Sequence, residues 1–162
     1  MEISFREYKD TDKQLLLNLQ KEFGDFIKPL DPMHRVQQLP GFHERLVDEM
    51  LEQVSKYRGK IWFALDKEKV IGCIVGVIWE QSALNRLEIG EHVLGDVRFL
   101  YLRQSYRGQG IGTQLLKLMQ AYFKDQGCDS MWVTVFAPNE NAQKTYEKFG
   151  FVDREIGMLK NI

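Results

Sequence analysis

Three glycines at two-residue spacing, Gly108, Gly110 and Gly112, lie between an apolar run and an amphipathic one. Residues 96–119 read DVRFLYLRQSYRGQGIGTQLLKLM, which is a strand, a glycine-rich turn and a helix in succession. A turn without Cβ atoms lets an anion approach backbone N–H groups closely. The helix behind it favours negative charge at its start. The chemistry on offer is a phosphate cradle. A nucleoside triphosphate loop needs Gly-Lys-Ser/Thr at its end, whereas Gly112 is followed by Thr113-Gln114, so ATP and GTP are disfavoured. A dinucleotide fingerprint needs glycine where Thr113 stands and an acidic residue about 20 positions on; Asp125 and Asp129 fall at the wrong element boundary.

Elements must position that turn. Ile3, Phe5 and Tyr8 nearly alternate with polar residues and predict a short first strand. Asp10 or Thr11 then reads as an N-cap, and Leu15, Leu16, Leu19 and Phe23 form a helical stripe ending at Gly24. Gly24 to Gly41 carries Pro29, Pro32 and Pro40 and is long enough to suggest a substrate-facing loop. Leu46, Val47, Met50, Leu51 and Val54 predict a second helix that stops near Arg58-Gly59. Lys60–Leu65 and Lys69–Trp79 read as a hairpin around Asp66-Lys67-Glu68. A polar stretch, Gln81 to Gly95, precedes a strand over Asp96–Leu102. A helix over Gly110–Gly127, a strand over Ser130–Phe136, a helix over Asn139–Phe149 and a closing strand over Phe151–Lys160 complete the order β-α-α-β-β-β-α-β-α-β. The helix between the strands at 96–102 and 130–136 requires one parallel pairing.

Composition bounds the rest. The 162 residues predict one domain over residues 1–162. The chain is 44% hydrophobic and 28% charged, enough apolar residues for a core, which excludes whole-chain disorder. Its 22 basic and 23 acidic residues nearly cancel, so the basic excess of a nucleic-acid binder is missing. Cys73 and Cys128 cannot form a zinc site and read as buried thiols in a reducing compartment. The opening MEISFREYKD is charged throughout, unlike a secretion signal, and predicts a cytoplasmic chain. The longest apolar run, Val70–Trp79, has ten residues, against about 20 for a membrane span. It reads as a buried strand whose glycines, Gly72 and Gly76, mark close approaches.

Two blocks resemble a known family. Arg107-Gly108-Gln109-Gly110-Ile111-Gly112 is similar to the Gln/Arg-x-x-Gly-x-Gly/Ala signature of GNAT acetyltransferases, and Leu100-Tyr101-Leu102 to the strand that leads into it. Asn139-Glu140-Asn141-Ala142, Tyr146 and Phe149-Gly150-Phe151 resemble the family's Asn-x-x-Ala-x-x-x-Tyr-x-x-x-Gly-Phe pattern. Both blocks lie in the family's order, and the resemblance extends over nearly the whole chain. It implies an α/β fold with a mixed, mostly antiparallel central sheet and flanking helices. Two departures stand out. Gln104 occupies a turn that often holds proline, and about eleven residues follow Gly150-Phe151 where many members have two strands.

The resemblance implies an acetyl-CoA-dependent N-acetyltransferase that uses no metal. It implies that N–H groups of Arg107, Gly108, Gln109, Gly110, Ile111 and Gly112, with Thr113 beside them, hold the pyrophosphate. It implies that Leu100, Tyr101 and Leu102 flank the pantetheine arm, with the Leu100 N–H polarising the thioester carbonyl. Asn139 would touch the cofactor or cap its helix. Tyr146 would be the general acid, since a phenol with a pKa near 10 stays protonated at neutral pH. Asp96, eleven residues before Arg107, stands where many relatives carry a glutamate base, and the shorter side chain calls for a bridging water. Glu88, Glu91 and His92 are alternatives in the same stretch, while His34 and His43 read as surface residues.

Asp25, Asp31, Glu88, Glu91 and Asp96 lie in the two long connections and favour a small cationic amine as acceptor. The alternatives are a protein lysine or N-terminus as acceptor, or a non-catalytic acyl-CoA-binding module. No nucleic acid or membrane partner is expected. Dimers are frequent in the family, and Trp62, Trp79 and the final strand offer a sheet-edge interface.

Overall fold

The computed structural model describes residues 1–162. Five strands and five helices follow in the order β1 (Ile3–Glu7), α1 (Lys13–Ile27), α2 (Phe42–Lys56), β2 (Lys60–Asp66), β3 (Lys69–Trp79), α3 (Ala83–Ile89), β4 (Leu94–Leu102), α4 (Ile111–Asp125), β5 (Ser130–Val133) and α5 (Glu140–Phe149). The sheet order is β1-β2-β3-β4-β5. The first three pairings are antiparallel, and β4 pairs with β5 in parallel. Helix α4 is the crossover that permits the parallel pair. The mixed, mostly antiparallel sheet expected from the sequence is the one found.

Helices cover both faces. Leu16, Leu17 and Leu19 of α1 and Val47 and Met50 of α2 pack on Phe63, Cys73, Val75, Phe99 and Tyr101. On the other face Ile111, Leu115, Leu116, Met119 and Phe123 of α4 meet Ile71, Ile74, Ile78 and Val97, together with Tyr146 of α5. Strand β3 is buried on both sides, which explains its unbroken apolar run. Its glycines mark close packing: a Cβ on Gly76 would lie 2.4 Å from Met119 Sδ, and one on Gly72 would lie 2.3 Å from the Tyr101 carbonyl oxygen.

The structure corrects four expectations. Helix α1 runs through Gly24 to Ile27, because Gly24 is where His43 and Gln38 press against the helix; a Cβ there would sit 2.6 Å from His43 Cε1. Neither Asp10 nor Thr11 caps α1. Asp10–Asp12 form a 3₁₀ turn, and Asp12 accepts from the Lys9 N–H and pairs with Arg6. The stretch 81–95 contains α3, capped by Ser82 Oγ accepting from the Asn85 N–H and ended by Gly90 at φ +82°. Leu84 and Leu87 of α3 are exposed, so the helix has no buried stripe to betray it. Finally, the closing strand over 151–160 is not formed. Phe151 packs edge-on against Tyr146, and the residues after it carry no ladder and are exposed.

Candidate active site

Strand β4 carries a bulge at its centre. Phe99 lies opposite Val75 and Val97 opposite Gly76, so Arg98 is the extra residue. The extra residue reverses the side-chain phase. Val97 faces α4, whereas Phe99 and Tyr101 face α1 and α2. The bulge also coincides with the end of the parallel ladder, which pairs only Leu94–Val97 with Ser130–Val133. Beyond Val97 that edge of β4 is open. The Arg103 N–H donates to the Ile71 carbonyl, so the odd-numbered residues address β3, and Leu100 and Leu102 turn their backbone groups to the open edge. Tyr101 points its main chain at β3 and its buried ring at α1, away from that edge.

The glycine turn begins where β4 ends. Gln104–Tyr106 form a 3₁₀ turn, closed by the Arg107 N–H donating to the Gln104 carbonyl. Gly108 and Gly110 adopt φ of +76° and +78°, the left-handed region that glycine enters without steric cost. The first helical bond of α4 runs from the Gln114 N–H to the Gly110 carbonyl. Consequently none of the six N–H groups from Gly108 to Thr113 has a partner within the chain. A run of converging donors at a helix start is an anion nest. The Arg107 N–H, expected in this set, is occupied by the 3₁₀ turn. Its guanidinium also turns away, with Nε donating to the Leu102 carbonyl at 2.8 Å and Cζ 4.2 Å from the Phe26 ring centroid. Of the open β4 edge, the Leu102 carbonyl is therefore already taken.

Tyr146 belongs to the same apolar cluster as Leu100, Leu102 and Ile111, the first residue of α4. Burial pushes its phenol up to about 12. Asn139 caps α5 through its side chain, accepting from the Ala142 N–H.

Asp96 lies on the opposite face from Val97, just before the bulge. It is only 5% exposed, and its Oδ2 accepts from Trp79 Nε1 at 2.7 Å and from Arg98 Nη1 at 3.2 Å. Trp79 in turn stacks at an angle on Tyr57, with centroids 4.7 Å apart. Trp79, Glu80, Glu91 and His92 line an open cleft of about 460 Å³. The two candidate proton carriers thus sit on opposite sides of the sheet, with the bulge between them.

The remaining candidates scatter. The Asp31 carboxylate is buried, accepting from the N–H groups of Met33, Arg35 and Val36, which holds it below the usual carboxylate range. Its oxygens are taken up by its own loop. Asp25 and Glu88 are exposed, and His92 pairs with Asp129 at 2.9 Å. Sequence reading missed Trp79 and Arg98 as neighbours of Asp96. Cross-strand pairing brings Trp79 there and leaves no local signal, whereas Arg98 lies two residues along the same strand. Cys73 is fully buried and Cys128 partly so. No cluster of three or more His, Cys, Asp or Glu residues stands ready for a metal ion, and no helix is long and apolar enough to cross a membrane.

Known proteins share this fold. The chain is 25% identical to thialysine N-epsilon-acetyltransferase of Bos taurus, over 93% of this chain and 85% of the relative. It is 32% identical to N-alpha-acetyltransferase 30 of Schizosaccharomyces pombe over 54% of each. Among solved structures, a GCN5-related N-acetyltransferase from Ralstonia eutropha superposes with a TM-score of 0.73 at 18% identity, covering 99% of both chains. Aminoglycoside N-acetyltransferase AAC(6')-Iy in complex with CoA gives 0.71 at 18% identity, covering 99% of this chain and 95% of that one. The model of the acetyltransferase (GNAT) family matches residues 27–151, and the chain belongs to that family of acetyl-CoA-dependent N-acetyltransferases.

Proposed function

We propose that the chain moves the acetyl group of acetyl-CoA to a primary amine of a small molecule, with Asp96 as general base through a water and Tyr146 as general acid. The observation that carries this reading is the run of six partnerless N–H groups from Gly108 to Thr113, set beside the open edge of β4. Donors left free at a helix start take water or an anion as partner, and two glycines at positive φ extend the set beyond the first helical turn. A pyrophosphate suits the nest, and an extended amide-bearing arm suits the strand edge. A thioester supplies the acyl group when the cofactor is bound.

The chain's own groups divide the remaining tasks. The Leu100 N–H faces the open edge, where it can donate to the thioester carbonyl oxygen as negative charge develops there. The acceptor arrives as an ammonium, given an amine pKa near 10.4. Asp96, through water, takes its proton, and the neutral nitrogen attacks. The nitrogen–carbon bond forms and the carbon–sulfur bond breaks, and the surplus proton left on the nitrogen passes through water to restore the Tyr146 hydroxyl, so that one net proton leaves through Asp96. Tyr146, held protonated by its burial, donates to the departing sulfur. Asn139 caps α5 and so steadies the helix that carries Tyr146.

A small-molecule acceptor is supported by the named relative that acts on thialysine and by the aminoglycoside enzyme of the same fold. The test is thiol release from acetyl-CoA across polyamines, aminoglycosides, amino acids and peptides. Release with small amines at rates well above those with peptides supports the reading. Release with peptides alone refutes the small-molecule acceptor, and a chain that fails to bind acetyl-CoA refutes the whole.

A further inference from the structure

The bulge in β4 does more than open the sheet. It pushes Arg98 outward beside the buried carboxylate of Asp96. Arg98 Nη1 lies 3.2 Å from Asp96 Oδ2, and its Cζ lies 5.7 Å from the Trp79 ring centroid. The Arg98 side chain is 39% exposed, against 7% for Asp96. A guanidinium has five N–H donors in a planar fork. The contact to Asp96 is the one hydrogen bond this guanidinium makes within the chain. The aromatic face of Trp79 and the carboxylate of Asp96 hold the fork in place, so a ligand need not order it.

We infer that Arg98 is the specificity-determining residue of the acceptor site, and that the acceptor is an amine that also carries a carboxylate, as an amino acid does. The inference rests on the reading of Asp96 as the group beside the acceptor amine. A plain polyamine would bring its ammonium against a guanidinium, a like-charge contact. An amino acid presents an ammonium and a carboxylate side by side, complementary to the adjacent Asp96 and Arg98. Arginine also binds carboxylates through two parallel hydrogen bonds, a geometry that lysine lacks.

The experiment measures thiol release from acetyl-CoA with matched acceptors: an amino acid, its carboxamide, and the amine lacking the group altogether. The wild-type protein is expected to favour the acid by about tenfold or more in kcat/KM. In Arg98→Gln the KM for the acid is expected to rise about 10- to 100-fold, the usual worth of hydrogen bonds to a charged group, with a much smaller change for the carboxamide. Arg98→Lys keeps a positive charge beside Asp96 but loses the fork. It serves should the glutamine variant fail to fold, and is expected to lose much of the preference for the acid. Equal kcat/KM for the three acceptors in the wild type overturns the inference and leaves the proposed function standing. Equal losses for all three acceptors in the variants also overturn it, since Arg98 would then only neutralise Asp96. No thiol release with any amine, these three or those of the wider panel, while calorimetry shows acetyl-CoA bound, overturns the proposed function itself and the inference with it.

Discussion

The indole N–H of Trp79, the last residue of β3, donates to Asp96 Oδ2 at 2.7 Å across the β3–β4 ladder. This bond fixes one lone pair of the carboxylate and leaves Oδ1 as the oxygen free to meet a water. Asp96→Asn is expected to lower kcat by about 10²-fold or more with acetyl-CoA affinity little changed, as measured by steady-state kinetics and calorimetry. Full activity would show that Asp96 only anchors Trp79. Trp79→Phe keeps an aromatic ring but removes the donor, and is expected to cost about 1–3 kcal/mol of stability in denaturant unfolding.

Tyr146→Phe removes a hydroxyl that has no hydrogen-bond partner within the chain, so thermal stability should hold. If the phenol donates to the departing thiolate, kcat falls about 10²- to 10⁴-fold, while acetyl-CoA binding changes little because the bond forms as charge develops. Unchanged kcat under conditions where chemistry is rate-limiting would return Tyr146 to a purely packing role.

Burial raises the Tyr146 phenol from 10.0 to about 12. The neutral form is the one folding favours, so its contribution to stability is intact below pH 10 and is lost as pH rises through the folded value. Activity should therefore climb with pH as the amine deprotonates, with no loss from tyrosine ionisation near 10. A tyrosinate difference titration, wild type minus Tyr146→Phe, should show its midpoint clearly above 10. A midpoint at or below 10 would contradict the buried environment.

Gly110 and Gly127 stand at opposite ends of α4 with φ of +78° and +83°, and a Cβ on either would meet nothing within 4 Å. Alanine at each imposes a similar backbone strain, so both variants should lose stability alike. Only Gly110→Ala places a methyl group where the anion must approach, and it alone should weaken acetyl-CoA binding in calorimetry. Equal affinities in the two variants would remove the cradle from the N-terminus of α4.

Asp31 supports its loop from inside, through three backbone donors. Its folded pKa lies below the ordinary carboxylate value, the Met33 N–H contributing most. Its stabilisation is thus present above the unfolded value near 3.9 and fades as pH falls through the lowered one. Asp31→Asn should reduce the melting temperature at pH 7 and by less near pH 2. A constant difference across that range would exclude the ionised carboxylate as the cause.

The local chemistry of the chain was not enough to determine α3 or the absence of a closing strand, but it was enough to determine the five strands β1 to β5, the four helices α1, α2, α4 and α5, the glycine turn after β4, the position of Tyr146 on a helix and the family. These depend on side-chain period, on glycine at positive φ and on motif spacing, all of which act over a few residues. What only the tertiary structure decided depends on partners distant in sequence. The bulge that extrudes Arg98 is a property of β4 against β3, and it alone sets which side chains face which layer. The capture of Asp31 by its own loop withdrew an acid that composition had assigned to the substrate. The passage of α1 through Gly24 follows from the approach of His43 and Gln38, not from helix propensity. The segment after Phe151 shows the same rule in reverse. Its alternating apolar residues are compatible with a strand, but a strand exists only through a partner, and the segment pairs with none of the five strands.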